Sequence, residues 1–194
     1  MKKIAVFGGS FNPPAVHHRN IVEKLVHHFD EVIVVPCGPR PDKLSTQMID
    51  STYKSKMIDI TFSDIPGVRV ELFDLENNTF TRTHKLDEMF KSDAEVWHIV
   101  GSDIIEGGSI KNSIIHKVWE NADWVWNNLK FCVIERENYK FNKDDLPPNS
   151  IVFNVGNSGA SSIIREKIFK GESINGLVTE GVEKYIKKYN IYKK

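Results

Sequence analysis

The sequence predicts an α/β fold, a mostly parallel sheet with helices on both faces. Three observations carry that prediction. An apolar run, Ile4 to Phe7, stops at Gly8-Gly9, and a helical pattern begins near Val16. A second apolar run, Glu31 to Pro36, follows that helix at once, so strand, helix and strand fit within the first 36 residues. That is a βαβ unit, for which a right-handed crossover is expected. The same alternation continues along the chain with no low-complexity linker and no internal repeat.

The elements follow in order. The first strand is Lys3 to Phe7. The helix from about Val16 to Phe29 carries Ile21, Val22, Leu25 and Phe29 at three- and four-residue spacing, an apolar stripe. The second strand, Glu31 to Pro36, is apolar at successive positions, which fits a parallel strand covered on both faces. A Pro- and Gly-rich loop runs from Cys37 to about Leu44. Ser45 or Thr46 is suited to cap a helix from about Gln47 that carries Met48, Ile49, Tyr53, Met57 and Ile58. Pro66-Gly67 ends that region. Val68 to Leu72 reads as a third strand, Thr81 to Phe90 as a helix, and Glu95 to Val100 as a fourth strand. Ile114 to Trp126 is a helical zone rich in Trp. Lys130 to Ile134 and Ser150 to Val155 are the fifth and sixth strands, and helices start near Ser161 and Thr179. The polar stretch Asn138 to Asn149, with Pro147-Pro148, reads as a surface loop and not a boundary. The expectation is one Rossmann-like domain over residues 1–194, with a C-terminal helical segment at about 161–190 packed on it.

Composition narrows the function. Lys plus Arg and Asp plus Glu are equal at 26 each, which gives no support to a nucleic-acid-binding face. Two cysteines, Cys37 and Cys132, make neither a disulfide framework nor a metal cluster and suit a reducing compartment. No stretch reaches the roughly 18 apolar residues of a membrane span. No apolar leader with a small-residue cleavage site precedes the first strand. The expected setting is the cytoplasm, away from membranes, as a monomer or a homo-oligomer.

In open sheets of this kind ligands sit beyond the carboxyl ends of the strands. Four features fall there: Gly8-Gly9-Ser10, the Pro36 to Lys43 loop, Gly101-Ser102-Asp103, and Ser161-Ser162. Gly8 and Gly9 let a ligand approach the backbone closely, and Ser10 and Phe11 follow in the same turn. The segment has neither the Gly-Lys-Ser/Thr of a Walker loop nor a Gly-x-Gly-x-x-Gly fingerprint. His17 and His18 open the first helix, where imidazoles can donate to phosphate oxygens; surface histidines are the plain alternative. Position 15 lies three residues before His18, so the two are expected to share a helical face, with His17 pointing elsewhere. No third ligand with metal spacing accompanies the histidines, and a metal centre is not expected. Lys43, at the end of a proline-stiffened loop, is either a point charge for a triphosphate or a solvent-facing lysine. Asp103 can accept from ribose hydroxyls, face a hydrated magnesium ion, or cap the next turn. Arg165 lies four residues after Ser161 and three after Ser162, so hydroxyls, free N–H groups and a guanidinium can face one polyphosphate. Among the four tryptophans Trp119 is best placed for a flat heterocycle, and Phe80 and Thr81 approach from another strand end.

Taken in order, these segments resemble the nicotinate or nicotinamide mononucleotide adenylyltransferases of the HxGH-type nucleotidyltransferase group. Gly8-Gly9-Ser10-Phe11-Asn12-Pro13 resembles the opening motif, Pro36 to Lys43 the proline-rich loop ending in lysine, and Phe80-Thr81 the aromatic-threonine pair. Gly101-Ser102-Asp103 and Trp119 fall in familiar order. Ser161-Ser162-Ile163-Ile164-Arg165 matches the distal Ser-Ser-x-x-Arg motif, and Gly171 through Ile186 resembles the closing segment. The resemblance implies ATP, Mg²⁺ bound with it, and a pyridine mononucleotide as acceptor. It implies that His18, Lys43, Ser161 and Arg165 position phosphate. Asp103 would serve the ATP ribose, and Phe80, Thr81 and Trp119 the pyridine nucleotide. The His-x-Gly-His signature reads Ala15-Val16-His17-His18 here, and the acidic residue after the aromatic-threonine region is Thr83. An introduced substitution at 15, a shifted phosphate contact, and a paralogue that binds nucleotide without efficient turnover all fit that departure. A different phosphate acceptor is the nearer alternative. If the older phosphate geometry survives, a histidine restored at position 15 is expected to raise turnover.

Overall fold

The computed structural model describes residues 1–41, 43–136, 142–156 and 159–193. Six strands form one sheet: β1 (Lys2–Gly9), β2 (Glu31–Pro36), β3 (Val68–Val70), β4 (Ala94–Gly101), β5 (Lys130–Glu135) and β6 (Ser150–Asn154). The helices are α1 (Val16–Leu25), α2 (Ser51–Phe62), α3 (Phe73–Glu76), α4 (Thr83–Phe90), α5 (Ser102–Ile105), α6 (Ile114–Val118), α7 (Ala122–Asn128), α8 (Ser161–Phe169) and α9 (Glu180–Tyr189). The strand order is β3-β2-β1-β4-β5-β6 and every pairing is parallel. The chain therefore steps outward from β1 to β3, returns to the other side of β1 at β4, and steps outward again. The carboxyl ends of β1 and β4 flank that reversal, which is where an open parallel sheet leaves a crevice.

Side-chain alternation along the strands assigns the two faces. Ala5, Val32, Val34, Ile99, Cys132 and Ile134 point to one face and are covered by Ile21, Val22 and Leu25 of α1 and Ile58 and Phe62 of α2. Ile4, Val6, Ile33, Val35 and Val96 point to the other, under Leu86 of α4. On that same face Val100, Phe131 and Val133 pack with Ile115, Val125 and Trp126 of α6 and α7. The C-terminal helices form their own apolar cluster, in which Ile164, Ile168, Val182 and Ile186 meet Met57 of α2 and the methyl of Ala15. No helix among the described residues is long and apolar enough to cross a membrane.

Several boundaries differ from the sequence reading, each for a local reason. β1 continues through Gly8 and Gly9, which pair with Val35 and Pro36, so the glycines belong to the strand and the turn comes after them. α1 ends at Leu25; Phe29 is buried from the turn beyond it. α2 starts at Ser51, not Gln47, because Asp50 caps it by accepting from the Thr52 N–H at 2.7 Å. Leu44–Gln47 is instead a 3₁₀ turn, braced by Thr46 Oγ1 donating to the Lys43 carbonyl at 2.7 Å. The Trp-rich zone is two helices, with Trp119 at the break between them. The expected surface loop at 138–149 lies partly outside the described residues. Its described part, 142–149, holds Asp145, which accepts from the N–H groups of Gly107 and Ser109, both at 3.0 Å.

Candidate active site

A cavity of about 530 Å³ opens at the carboxyl ends of β1, β4 and β5. Among its lining residues are the sequence candidates Gly8, Gly9, Ser10, Phe11, His17, His18, Lys43, Phe80, Thr81, Asp103, Trp119, Ser161, Ser162 and Arg165. Residues more than a hundred positions apart are thus brought to one wall.

The turn after β1 is built tightly. Phe11 adopts φ 42°, in the left-handed region, and its ring folds back over the strand end. A Cβ at Gly9 would lie 2.9 Å from Phe11 Cζ, so this glycine is required by the ring's path, whereas a Cβ at Gly8 would make only ordinary contact with Leu86 Cδ1 at 3.9 Å. The Phe11 ring sits edge-on to Phe7, His18 and Phe62 with centroids 5.1, 5.1 and 5.8 Å away. Asn12, fully buried, ties the turn to three distant segments. Its side-chain amide donates to the Ser45 carbonyl, its side-chain oxygen accepts from the Tyr192 hydroxyl, and its backbone carbonyl accepts from Arg165 Nη1 at 2.5 Å. Ser161 Oγ donates to the Pro13 carbonyl at 2.8 Å. The start of α8 is therefore fastened to the turn that precedes α1, and residues of both helix starts line the same cavity.

The histidines have defined states. The Ala15 N–H donates to His18 Nδ1 at 3.0 Å. A ring nitrogen that accepts carries no proton, so in the neutral ring the proton sits on Nε2, which makes that atom a donor. Burial first, then His17, Arg136 and Lys43, hold the His18 pKa well below the ordinary histidine value. Burial and then Arg136 lower His17 to about 4. Both rings are neutral near pH 7.

A second group of lining residues is cationic and aromatic. The Arg40 and Arg82 guanidinium carbons lie 4.3 and 4.9 Å from the centre of the Phe80 ring. Arg82 pairs with Glu120 at 3.3 Å, next to Trp119. Thr81 is held from beneath: Asp74, 1 % exposed, accepts from the Thr81 N–H at 2.9 Å and from the hydroxyls of Thr81 and Thr79 at 2.8 and 2.7 Å. Asp74→Ala removes those acceptors from a buried site. The expected cost is about 2–4 kcal/mol of stability, read as a lower denaturation midpoint at unchanged slope. An unchanged midpoint would contradict this role.

Asp103 faces the cavity from the end of β4. Its Oδ1 is buried with no hydrogen-bond partner, 3.2 Å from Arg136 Nε. A Cβ at Gly101 would lie 2.2 Å from that oxygen, so Gly101 leaves the room in which the carboxylate turns inward.

The cytidylyltransferase-like family profile matches residues 6–167 of the chain. A probable nicotinate-nucleotide adenylyltransferase from Fusobacterium nucleatum is 31% identical over 199 residues, covering 96% of this chain and 97% of the relative. The chain belongs to the nicotinate-nucleotide adenylyltransferase family. The nicotinate-nucleotide adenylyltransferase of Bacillus subtilis is 25% identical over 199 residues, with 99% of each chain covered. The solved structure of the Plasmodium falciparum nicotinic acid mononucleotide adenylyltransferase complexed with NaAD shares the fold, with a TM-score of 0.78 and 23% identity over 99% of this chain and 98% of that one.

Within this adenylyltransferase family member, two sequence expectations are corrected. Ala15 does not share a face with His18. It is the extended N-cap of α1, at φ −115° and ψ 164°, and its methyl is 1 % exposed among Met57, Ile164 and the α9 residues. His17, expected to point elsewhere, lies beside His18 on the cavity wall, with ring centroids 3.9 Å apart. Ala15→His therefore inserts a polar ring into a filled apolar cluster. The expected outcome is a lower Tm and no gain in turnover; a gain at unchanged Tm would show that position 15 still reaches the phosphates.

Other cavity residues escaped the sequence reading. Arg136 directly follows β5, and the strand-end rule applied to that strand would have found it. Arg40 and Arg82 adjoin residues that were noticed. His98 and His84 line the α4 side of the cavity, with His98 Nε2 3.4 Å from Asp87 Oδ1; no local pattern marks them.

Proposed function

We propose that this chain acts as one unit that transfers the adenylyl group of ATP, presented with Mg²⁺, to nicotinate mononucleotide or nicotinamide mononucleotide. The products are a dinucleotide and pyrophosphate, a step of NAD biosynthesis. The observation that carries the reading is the meeting of two unlike groups of side chains in one cavity. One is His18, Lys43, Ser161, Ser162 and Arg165; the other is Phe80, Thr81 and Trp119. The first suits a polyphosphate and the second a flat ring on a mononucleotide.

A phosphate oxygen of the mononucleotide attacks the α-phosphorus of ATP, and the bond from that phosphorus to the bridging oxygen of pyrophosphate breaks. No group of the protein needs to be covalently modified. The chain holds two anions together and answers the charge that grows on the transferring and departing phosphates. His18 supplies its Nε2–H, Lys43 a point charge and Arg165 a guanidinium fork. Ser10 and Phe11 contribute backbone contacts beside Gly8 and Gly9. Asp103, whose buried Oδ1 makes no hydrogen bond and is ion-paired with Arg136, serves the ribose hydroxyls or the water shell of the magnesium that accompanies ATP.

The guanidinium groups of Arg40 and Arg82 around Phe80 favour the nicotinate form, whose ring carries a carboxylate. The relatives named above are described as nicotinate-nucleotide enzymes, which agrees. Pyrophosphate release measured with the two acceptors in parallel tests this: kcat/KM is expected to be higher for nicotinate mononucleotide. Equal values, or a preference for the amide, would remove the arginines from acceptor choice.

A further inference from the structure

His17 is 8 % exposed, lines the cavity, and has no hydrogen-bond partner among the described residues. The ring's polar edge opens on the cavity, where a ligand is able to accept from it. One side of the ring lies against His18 at a 43° tilt. The other lies where a side chain at residue 159 would be. A Cβ added to Gly159 would sit 2.4 Å from His17 Nδ1, closer than any packed atom could remain, and 3.1 Å from its Cε1. Gly159 thus provides a notch that the ring occupies.

The notch lies between two helix starts. His17 is the second residue of α1, and Gly159 precedes Ser161, the first residue of α8. Lys43, Arg136 and Arg165 line the same cavity. Burial and the Arg136 charge keep the ring neutral, and a neutral imidazole retains one N–H donor. Among so many positive groups, the ligand that uses this donor is an anion.

We propose that His17 is a second imidazole donor to the phosphate chain of the nucleotide, and that Gly159 is the positioning residue that makes room for it. The inference rests on the phosphate reading of the cavity given above. The space for the ring comes from the residue before the α8 cap, not from α1.

Calorimetric titration of the whole protein with inorganic tripolyphosphate, and separately with adenosine, tests the proposal without requiring turnover. His17→Ala is expected to weaken tripolyphosphate binding about tenfold or more, as for a lost hydrogen bond to a charged group, and to leave adenosine binding unchanged. His17→Gln, which keeps an N–H donor, is expected to recover part of the loss. Gly159→Ala is expected to weaken tripolyphosphate binding by displacing the ring, and to add nothing in a His17→Ala background. Unchanged tripolyphosphate affinity in His17→Ala would overturn the donor role, as would a loss confined to adenosine. A Gly159→Ala penalty that persists in full without the imidazole would overturn the positioning role. Wild-type protein that binds tripolyphosphate yet forms no dinucleotide would instead overturn the adenylyl-transfer reading, leaving the His17 result to stand by itself.

Discussion

Arg165→Ala is expected to lower kcat/KM for ATP by about 10²–10³-fold, the effect of losing one preorganised donor of roughly 3–4 kcal/mol in the transition state. The side chain is half-buried, and burial depresses its pKa, yet a guanidinium remains charged. One of its five N–H groups is committed to the Asn12 carbonyl, which leaves the fork able to meet phosphate oxygens. The same bond gives the residue a structural share. Without it the Asn12 turn keeps Ser45 and Tyr192 but loses one of its two ties to α8, the other being Ser161 to the Pro13 carbonyl, at a cost of about 1–2 kcal/mol. Arg165→Lys separates the two effects, since it keeps the charge and loses the fork; it is expected to remain well below wild type in turnover. Steady-state kinetics beside a denaturation curve check both parts. Turnover and ATP affinity equal to wild type in Arg165→Ala would refute the assignment.

His18→Ala is the second large effect. The ring's Nδ1 is occupied by the Ala15 N–H, so loss of the imidazole removes the Nε2 donor and also strands a backbone donor at the start of α1. We expect a fall of about 10²–10³-fold in kcat and a stability loss of about 1–3 kcal/mol. The working form of His18 is the neutral one, and its pKa is held below the ordinary value. Lowering the pH through 6.5 therefore removes no donor at this residue, and kcat/KM in the wild type is not expected to fall there on its account. An acid limb near pH 6.5 that vanishes in His18→Ala would contradict this protonation state.

The sheet was legible because parallel strands covered on both faces are written as continuous apolar runs. Glu31 to Pro36 has the predicted bounds, and the candidate residues at the strand ends converge as expected. The starts and stops of helices were less legible. Asp50 caps α2 through its own side chain, and Phe29 is buried although α1 has already ended. The site was misread where residue spacing was taken as helical too early. Ala15 is extended, so three residues do not place it over His18. What no local pattern encodes is the long-range bracing: Asn12 with Tyr192, 180 positions away, and His17 with Gly159. Those contacts arise from the docking of the C-terminal helices, which is set by burial of Ile164, Val178, Val182 and Ile186 and not by the residues that benefit from it.

The most direct test incubates the purified protein with ATP, Mg²⁺ and nicotinate mononucleotide, then measures the dinucleotide by mass and pyrophosphate in the same sample. One dinucleotide formed for each pyrophosphate released, with no product when the mononucleotide is omitted, is the result this account predicts. ATP bound but neither product formed with either pyridine mononucleotide would contradict it.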